Sequence, residues 1–93
     1  MEIAEFQQHI ARTYGERDRA RGLDGTIAWL TEELGELAQA VRKGSREQQL
    51  HELGDVFAWI VSLAEQLDCS LEDAIARYEG GCPRCGTLPC TCA

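Results

Sequence analysis

Four carboxylates in the middle of the chain carry the chemistry: Glu33, Glu36, Glu52 and Asp55. They come as two pairs, E-x-x-E within TEELGELAQAV and E-x-x-D within LHELGDVFAWI, and Glu32 stands beside the first. Residues three apart on a helix share a face. The run Gly44–Ser45–Arg46 between the segments is short enough to make them antiparallel neighbours. With the turn centred near Ser45, Glu36 comes level with about position 54 and Glu33 with about position 57, at ~3.6 residues per turn. The two acidic pairs then face each other across the helix pair. Carboxylates that close repel unless a cation sits among them. Mg²⁺ suits such a half-cage, taking a few carboxylates and keeping waters or substrate phosphates for its other positions. The plain alternative is a solvated charged face. Against it, both pairs border an apolar stripe, where uncompensated charge is costly. Each pair also encloses a mid-helix glycine, Gly35 or Gly54, which suggests close helix approach.

A second constellation closes the sequence: Cys82-x-x-Cys85-x4-Cys90-x-Cys92. Four thiols at this spacing read as a tetrahedral Cys₄ zinc site, structural in role, folding a tail too short for a core of its own. A redox or metal-sensing role is the alternative. Cys90-x-Cys92 is tighter than the usual C-x-x-C, so one ligand could be lost or come from a neighbouring chain. Cys69, the fifth cysteine, reads as a small buried hydrophobe. His51 adjoins Glu52 but points ~100° away, which makes it a surface residue.

The elements that must position these groups are helices. Ile3, Phe6, Ile10 and Tyr14 form a helical stripe from residue 2 to about 20. Gly22 and Gly25 mark a break, with Asp24 or Thr26 as cap of a second helix from about Thr26 to Lys43. Ile27, Leu30, Leu34, Leu37 and Val41 give that helix a bundle-type seam. The third helix opens with a capping box, Ser45-x-x-Gln48, and carries Leu50, Leu53, Phe57, Ile60, Ala64 and Leu67. Ser70 starts a short fourth helix that ends at Gly80 and Gly81. The expected organisation is an all-α antiparallel bundle over residues 1–79 and a cysteine-rich tail over 80–93. Trp29 lies one turn before Glu33 and Trp59 one turn after Asp55. An indole there either stacks on a base or packs in a core or oligomer interface.

The bulk numbers narrow the partners. A chain of 93 residues with 44% hydrophobic content is one small folded domain, of the kind that often completes its core by oligomerising. A net charge of −7 argues against a nucleic-acid polymer or an anionic membrane as partner. The longest apolar run, Val56 to Ala64, is too short to span a bilayer, and the opening residues lack a signal-peptide pattern. The cytoplasm is the expected location.

The strings WLTEELGELAQAV and ELGDVFAWIVSLA together resemble the MazG-type all-α NTP pyrophosphohydrolases, whose pattern is EE-x-x-E, a spacer, then E-x-x-D. The pattern falls on Glu32–Glu33–x–x–Glu36 and Glu52–x–x–Asp55, and the resemblance covers roughly residues 20 to 78. It implies a homodimer or homotetramer of antiparallel bundles. It also implies Mg²⁺-dependent hydrolysis of a nucleoside triphosphate between the α- and β-phosphates. On that reading Glu33, Glu36, Glu52 and Asp55 hold Mg²⁺, with Glu32 or Glu33 orienting the attacking water. Some relatives grip phosphates with Lys, Arg or Asn residues after the last helix, where this chain has its cysteines. Lys43 and Arg77 are the substitutes at hand, with Arg42 and Arg84 behind them, and Trp29 and Trp59 would meet the base. The alternatives are a phosphoribosyl-ATP-type pyrophosphatase, or a non-enzymatic interaction protein built on a zinc knuckle.

Overall fold

A computed structural model describes residues 1–93 as four α-helices without a strand. They are α1 (Ile3–Arg21), α2 (Leu23–Lys43), α3 (Arg46–Gln66) and the short α4 (Leu71–Ile75), which runs into a 3₁₀ turn at Ala76–Tyr78. None is long and apolar enough to cross a membrane.

The helix ends follow from local chemistry. At the start of α3 the Gln48 amide donates to Ser45 Oγ at 3.2 Å while Gln48 Oε1 accepts from the Ser45 amide at 2.8 Å, the expected capping box. Ser70 caps α4 as expected, accepting from the Asp73 amide at 3.2 Å. The junction of α1 and α2 differs from expectation. Gly22 alone separates them, at φ 86°, a left-handed backbone that glycine takes without a steric penalty. Helix α2 therefore begins at Leu23, and Asp24, Gly25 and Thr26 lie inside it rather than at its cap. Gly25 is there for space: a Cβ at this position would meet Arg21 Cγ at 2.6 Å. Thr26 is fully buried and works as a tie. Its hydroxyl donates to the Gly22 carbonyl at 3.1 Å and accepts from Gln66 Nε2 at 2.6 Å.

Helices α2 and α3 run antiparallel. As numbers rise along α2 from Thr26 through Trp29 to Ala40, their partners on α3 fall from Gln66 through Trp59 to Gln49. Helix α1 also packs on α3, with Phe6 stacked on Phe57 at 5.5 Å between ring centroids. Gln7 of α1 holds the start of α4, donating to the Cys69 carbonyl at 2.7 Å and accepting from the Leu71 amide at 2.9 Å. The buried apolar core is small: Ile10 from α1, Ala40 from α2, and Val56, Val61 and Ala64 from α3.

Three expectations are corrected. The apolar stripes of α2 and α3 are not sealed against each other: Val41 is 63% exposed and Leu50 61%, and Ile27, Leu34 and Leu53 are exposed beside them. The helix pair closes on the flank that carries the acids, and a chain this short has no further layer to cover the stripes. Gly35 and Gly54 do not mark close approach within the chain, since a Cβ on either would meet nothing within 4 Å. Cys69, expected to be buried, is exposed.

Thr26→Val should cost about 1–3 kcal/mol, because it removes the buried hydroxyl and leaves Gln66 Nε2 only its longer contact, 3.4 Å, with the Ser62 carbonyl. A lower Tm by circular dichroism would show it, and Thr26→Ser, which keeps the hydroxyl, should recover most of the loss.

Candidate functional site

The antiparallel register brings the two acidic pairs together. Carboxylate oxygens of Glu33, Glu36 and Glu52 lie within 4.8 Å of one another, and Glu52 also belongs to a second such set with His51 and Asp55. Glu33 Oε2 and Glu52 Oε2 are shut off from water and have no hydrogen-bond partner. A carboxylate in that state is costly unless something positive meets it. Burial, and then the charges of Glu36, Asp55 and Glu52, push the Glu33 carboxyl up to about 7. All the carboxylate donors are hard oxygens, the set that suits a divalent cation such as Mg²⁺ or Ca²⁺. His51 is exposed, as expected, yet it stands beside the acids, with its Nε2 3.3 Å from Asp55 Oδ2. The signal was in the sequence, since the two are four apart and so share a helix face. Glu32 is exposed and belongs to neither set.

Cavities open on both sides of the acids. One, of about 490 Å³ at the α2–α3 turn, is walled by Glu36, Gln39, Lys43, Gln48 and Glu52. The other, of about 270 Å³ between α1 and α3, is walled by Tyr14, Arg17 and Arg21 of α1 and by Asp55 and Trp59 of α3. Of the expected substrate contacts, Lys43 thus lies beside the acids. Trp29 and Trp59 stack on each other at 6.0 Å between centroids with planes 9° apart. The Arg21 guanidinium sits 4.7 Å from the Trp59 ring centroid and is held by Asp18 at 2.9 Å. Arg77 lines neither cavity; it lies against Tyr78, 3.1 Å from the hydroxyl. Sequence reasoning missed Tyr14, Arg17 and Arg21. Their spacing is that of a single helix face, yet the stretch Glu16–Arg21 reads as a polar helix end until α1 is docked on α3.

All four tail cysteines converge. Their sulfurs lie within 4.8 Å of one another, with Cys82 Sγ 3.7 Å from Cys92 Sγ and Cys85 Sγ 4.0 Å from Cys90 Sγ. A tetrahedral site with Zn–S bonds of ~2.3 Å has sulfurs about 3.8 Å apart. The Thr91 amide donates to Cys85 Sγ and the Cys92 amide to Cys90 Sγ, both at 3.3 Å. Hydrogen bonds from the Thr87 hydroxyl and the Thr91 amide lower Cys85 to about 5, while hydrogen bonds with the neighbouring sulfurs push Cys92 up to about 11, so without a metal the four thiols do not ionise alike. The tight Cys90-x-Cys92 spacing does not keep either sulfur from joining the other two.

None of the curated proteins compared with the chain matches it. A family model of the MazG nucleotide pyrophosphohydrolase domain matches residues 21–79, well over half of the 93. The match takes in α2, α3, α4 and the 3₁₀ turn, and with them every acid of the cluster. The chain belongs to the MazG nucleotide pyrophosphohydrolase family.

Proposed function

We propose that this chain is a Mg²⁺-dependent nucleoside triphosphate pyrophosphohydrolase, converting an NTP or dNTP and water to the monophosphate and pyrophosphate. The observation that carries the reading is the pair of partnerless oxygens, Glu33 Oε2 and Glu52 Oε2, in a cluster of acids that opens to cavities on both sides. Glu33, Glu36, Glu52 and Asp55 would hold the metal. Bound Mg²⁺ neutralises phosphate charge and makes water a better nucleophile at neutral pH. Glu32, exposed and next to Glu33, orients the attacking water, with Glu33 as the second candidate for that role. As the water oxygen bonds to phosphorus and the α–β anhydride oxygen leaves with pyrophosphate, the water's proton passes to a carboxylate or to solvent. Lys43 and the Trp29–Trp59 pair contact the substrate. Arg77 lies away from this site within one chain.

The exposed apolar residues along α2 and α3 support a homodimer or homotetramer, since a contiguous apolar stripe on a small protein usually marks an interface. The converged thiols support a structural Zn²⁺ on Cys82, Cys85, Cys90 and Cys92, and so a tail at 80–93 distinct from the helical unit at 1–79. Cysteines gathered as metal ligands suit a reducing compartment, the cytoplasm.

Pyrophosphate and orthophosphate, measured separately across the NTPs and dNTPs with Mg²⁺, test the reaction. Pyrophosphate with monophosphate is expected, and silence across the panel would favour an interaction protein. Glu36→Gln and Asp55→Asn should each lower turnover by about a hundredfold or more with helical content unchanged.

Metal-free protein should also respond to pH through Glu33. Its carboxyl holds a proton in the fold up to about 7, whereas an ordinary glutamate releases it near 4.5. The folded state then binds more protons than the unfolded state, so this contribution to stability is lost as pH rises between those values. The Tm of metal-free protein should fall across that window, Glu33→Gln should flatten the fall, and Mg²⁺ should raise Tm more at pH 8 than at pH 5. Elemental analysis should find one zinc per chain. Cys82→Ser should lose it without loss of helix signal, because the tail contributes no helix.

A further inference from the structure

We infer that the acidic cluster divides a single substrate between its two flanking cavities. The nucleoside and its α-phosphate lie in the α1–α3 cavity, with Arg17 gripping the phosphate. The pyrophosphate end lies in the cavity at the α2–α3 turn, gripped by Lys43. This rests on the pyrophosphohydrolase reading for the identity of the substrate, and adds the direction in which it lies.

Continuity is the first support. Asp55 belongs to the wall of the α1–α3 cavity, and Glu36 and Glu52 to that of the other, so the acids bridge the two spaces. An anhydride cleaved at the acids can then send one product into each. The products differ in chemistry. Pyrophosphate is wholly polar and anionic; a nucleoside carries a flat ring and sugar hydroxyls. The cavity at the turn has Ala40 as its one apolar lining residue, among Lys43 and the amides of Gln39 and Gln48. The α1–α3 cavity has Tyr14, Ala58 and Trp59 in its wall.

The cations make the second support. Arg21 is already committed, paired with Asp18 and laid over Trp59, so it shapes the wall instead of reaching for a ligand. Asp18, 3% exposed, is a positioning residue that holds it there. Arg17 enters neither of the chain's ion pairs, and neither does Lys43. The guanidinium fork matches two oxygens of one phosphate, while an ammonium on a flexible stem suits a mobile leaving group. Arg17 shares a cavity wall with Asp55, so phosphate should settle beside it only when the acids are neutralised by a cation.

The chain has two tryptophans, stacked on each other, and Trp59 walls the α1–α3 cavity, so intrinsic fluorescence reports on it without any turnover. AMP, CMP, GMP and UMP would be titrated with Mg²⁺ and read by emission, and inorganic pyrophosphate by calorimetry. At least one monophosphate should bind. Arg17→Ala should weaken it by about ten- to a hundredfold and leave pyrophosphate almost unchanged, the loss expected of a charge-assisted contact. Lys43→Ala should do the reverse, and Arg17→Lys should keep part of the monophosphate affinity. Both side chains are exposed, and unchanged circular dichroism would exclude misfolding. Equal losses for both ligands, or monophosphate binding that survives Arg17→Ala, would overturn the assignment. The expected split in a protein that releases no pyrophosphate would overturn the hydrolase reading alone. Release of pyrophosphate by a protein without the split would overturn the direction alone.

Discussion

The mutual repulsion of Glu33, Glu36, Glu52 and Asp55 is the constraint on which the remaining structure depends. Carboxylates within 4.8 Å of one another cost a few kcal/mol per pair at an effective dielectric of about 20. The core that must bear this consists of Ile10, Ala40, Val56, Val61 and Ala64. Such a core is too small to absorb unrelieved repulsion, since whole domains are stable by only ~5–15 kcal/mol. The cluster responds as far as it can alone. Glu33 holds its proton to about 7, and His51 leans on Asp55. The proton relieves Glu33 alone and His51 meets Asp55 alone, so Glu52 Oε2 keeps no partner, and a cation would supply one.

The same constraint accounts for the outside of the molecule. Because α2 and α3 close on their acidic flanks, their apolar stripes point away from each other's backbone, and α1 covers only part of α3. Gly35 and Gly54 sit beside Leu34 and Leu53 with open space where a Cβ would be. Within one chain those glycines have no packing partner. An approaching second copy would find smooth, apolar helix surface there, which is what the proposed oligomer requires.

The legible parts of the fold were those fixed by short-range rules. The helical period and a brief turn at Gly44–Ser45 determine the register, and the register brings Glu33 and Glu36 to Glu52. Ser45 and Ser70 cap their helices through bonds that span three residues. What stayed hidden depends on contacts across the chain. Thr26 looks like a cap in sequence and becomes a buried tie only because Gln66, forty residues on, reaches its hydroxyl. Gly25 looks like a break until Arg21 needs the space above it. Arg17 and Tyr14 acquire a role only when α1 lies along Asp55 and Trp59. His51 is the exception, since its four-residue step to Asp55 was visible and was outweighed by its neighbour in sequence.

The two donor sets of the chain also explain why they are kept apart. Carboxylates prefer hard cations and thiolates prefer softer ones such as Zn²⁺, so mixing them would blur both selections. Here the oxygens are mounted on α2 and α3, where packing fixes them and leaves cavities open on either side. The sulfurs lie in a segment whose one large apolar residue, Leu88, is 86% exposed. Such a segment has no core to order it, and the backbone amides of Thr91 and Cys92 are already turned toward sulfur. Those amides make poor use of neutral thiols, which are weak acceptors, and good use of thiolates held by a metal. An order that helps only a deprotonated, cross-linked tail is an argument for the cross-link.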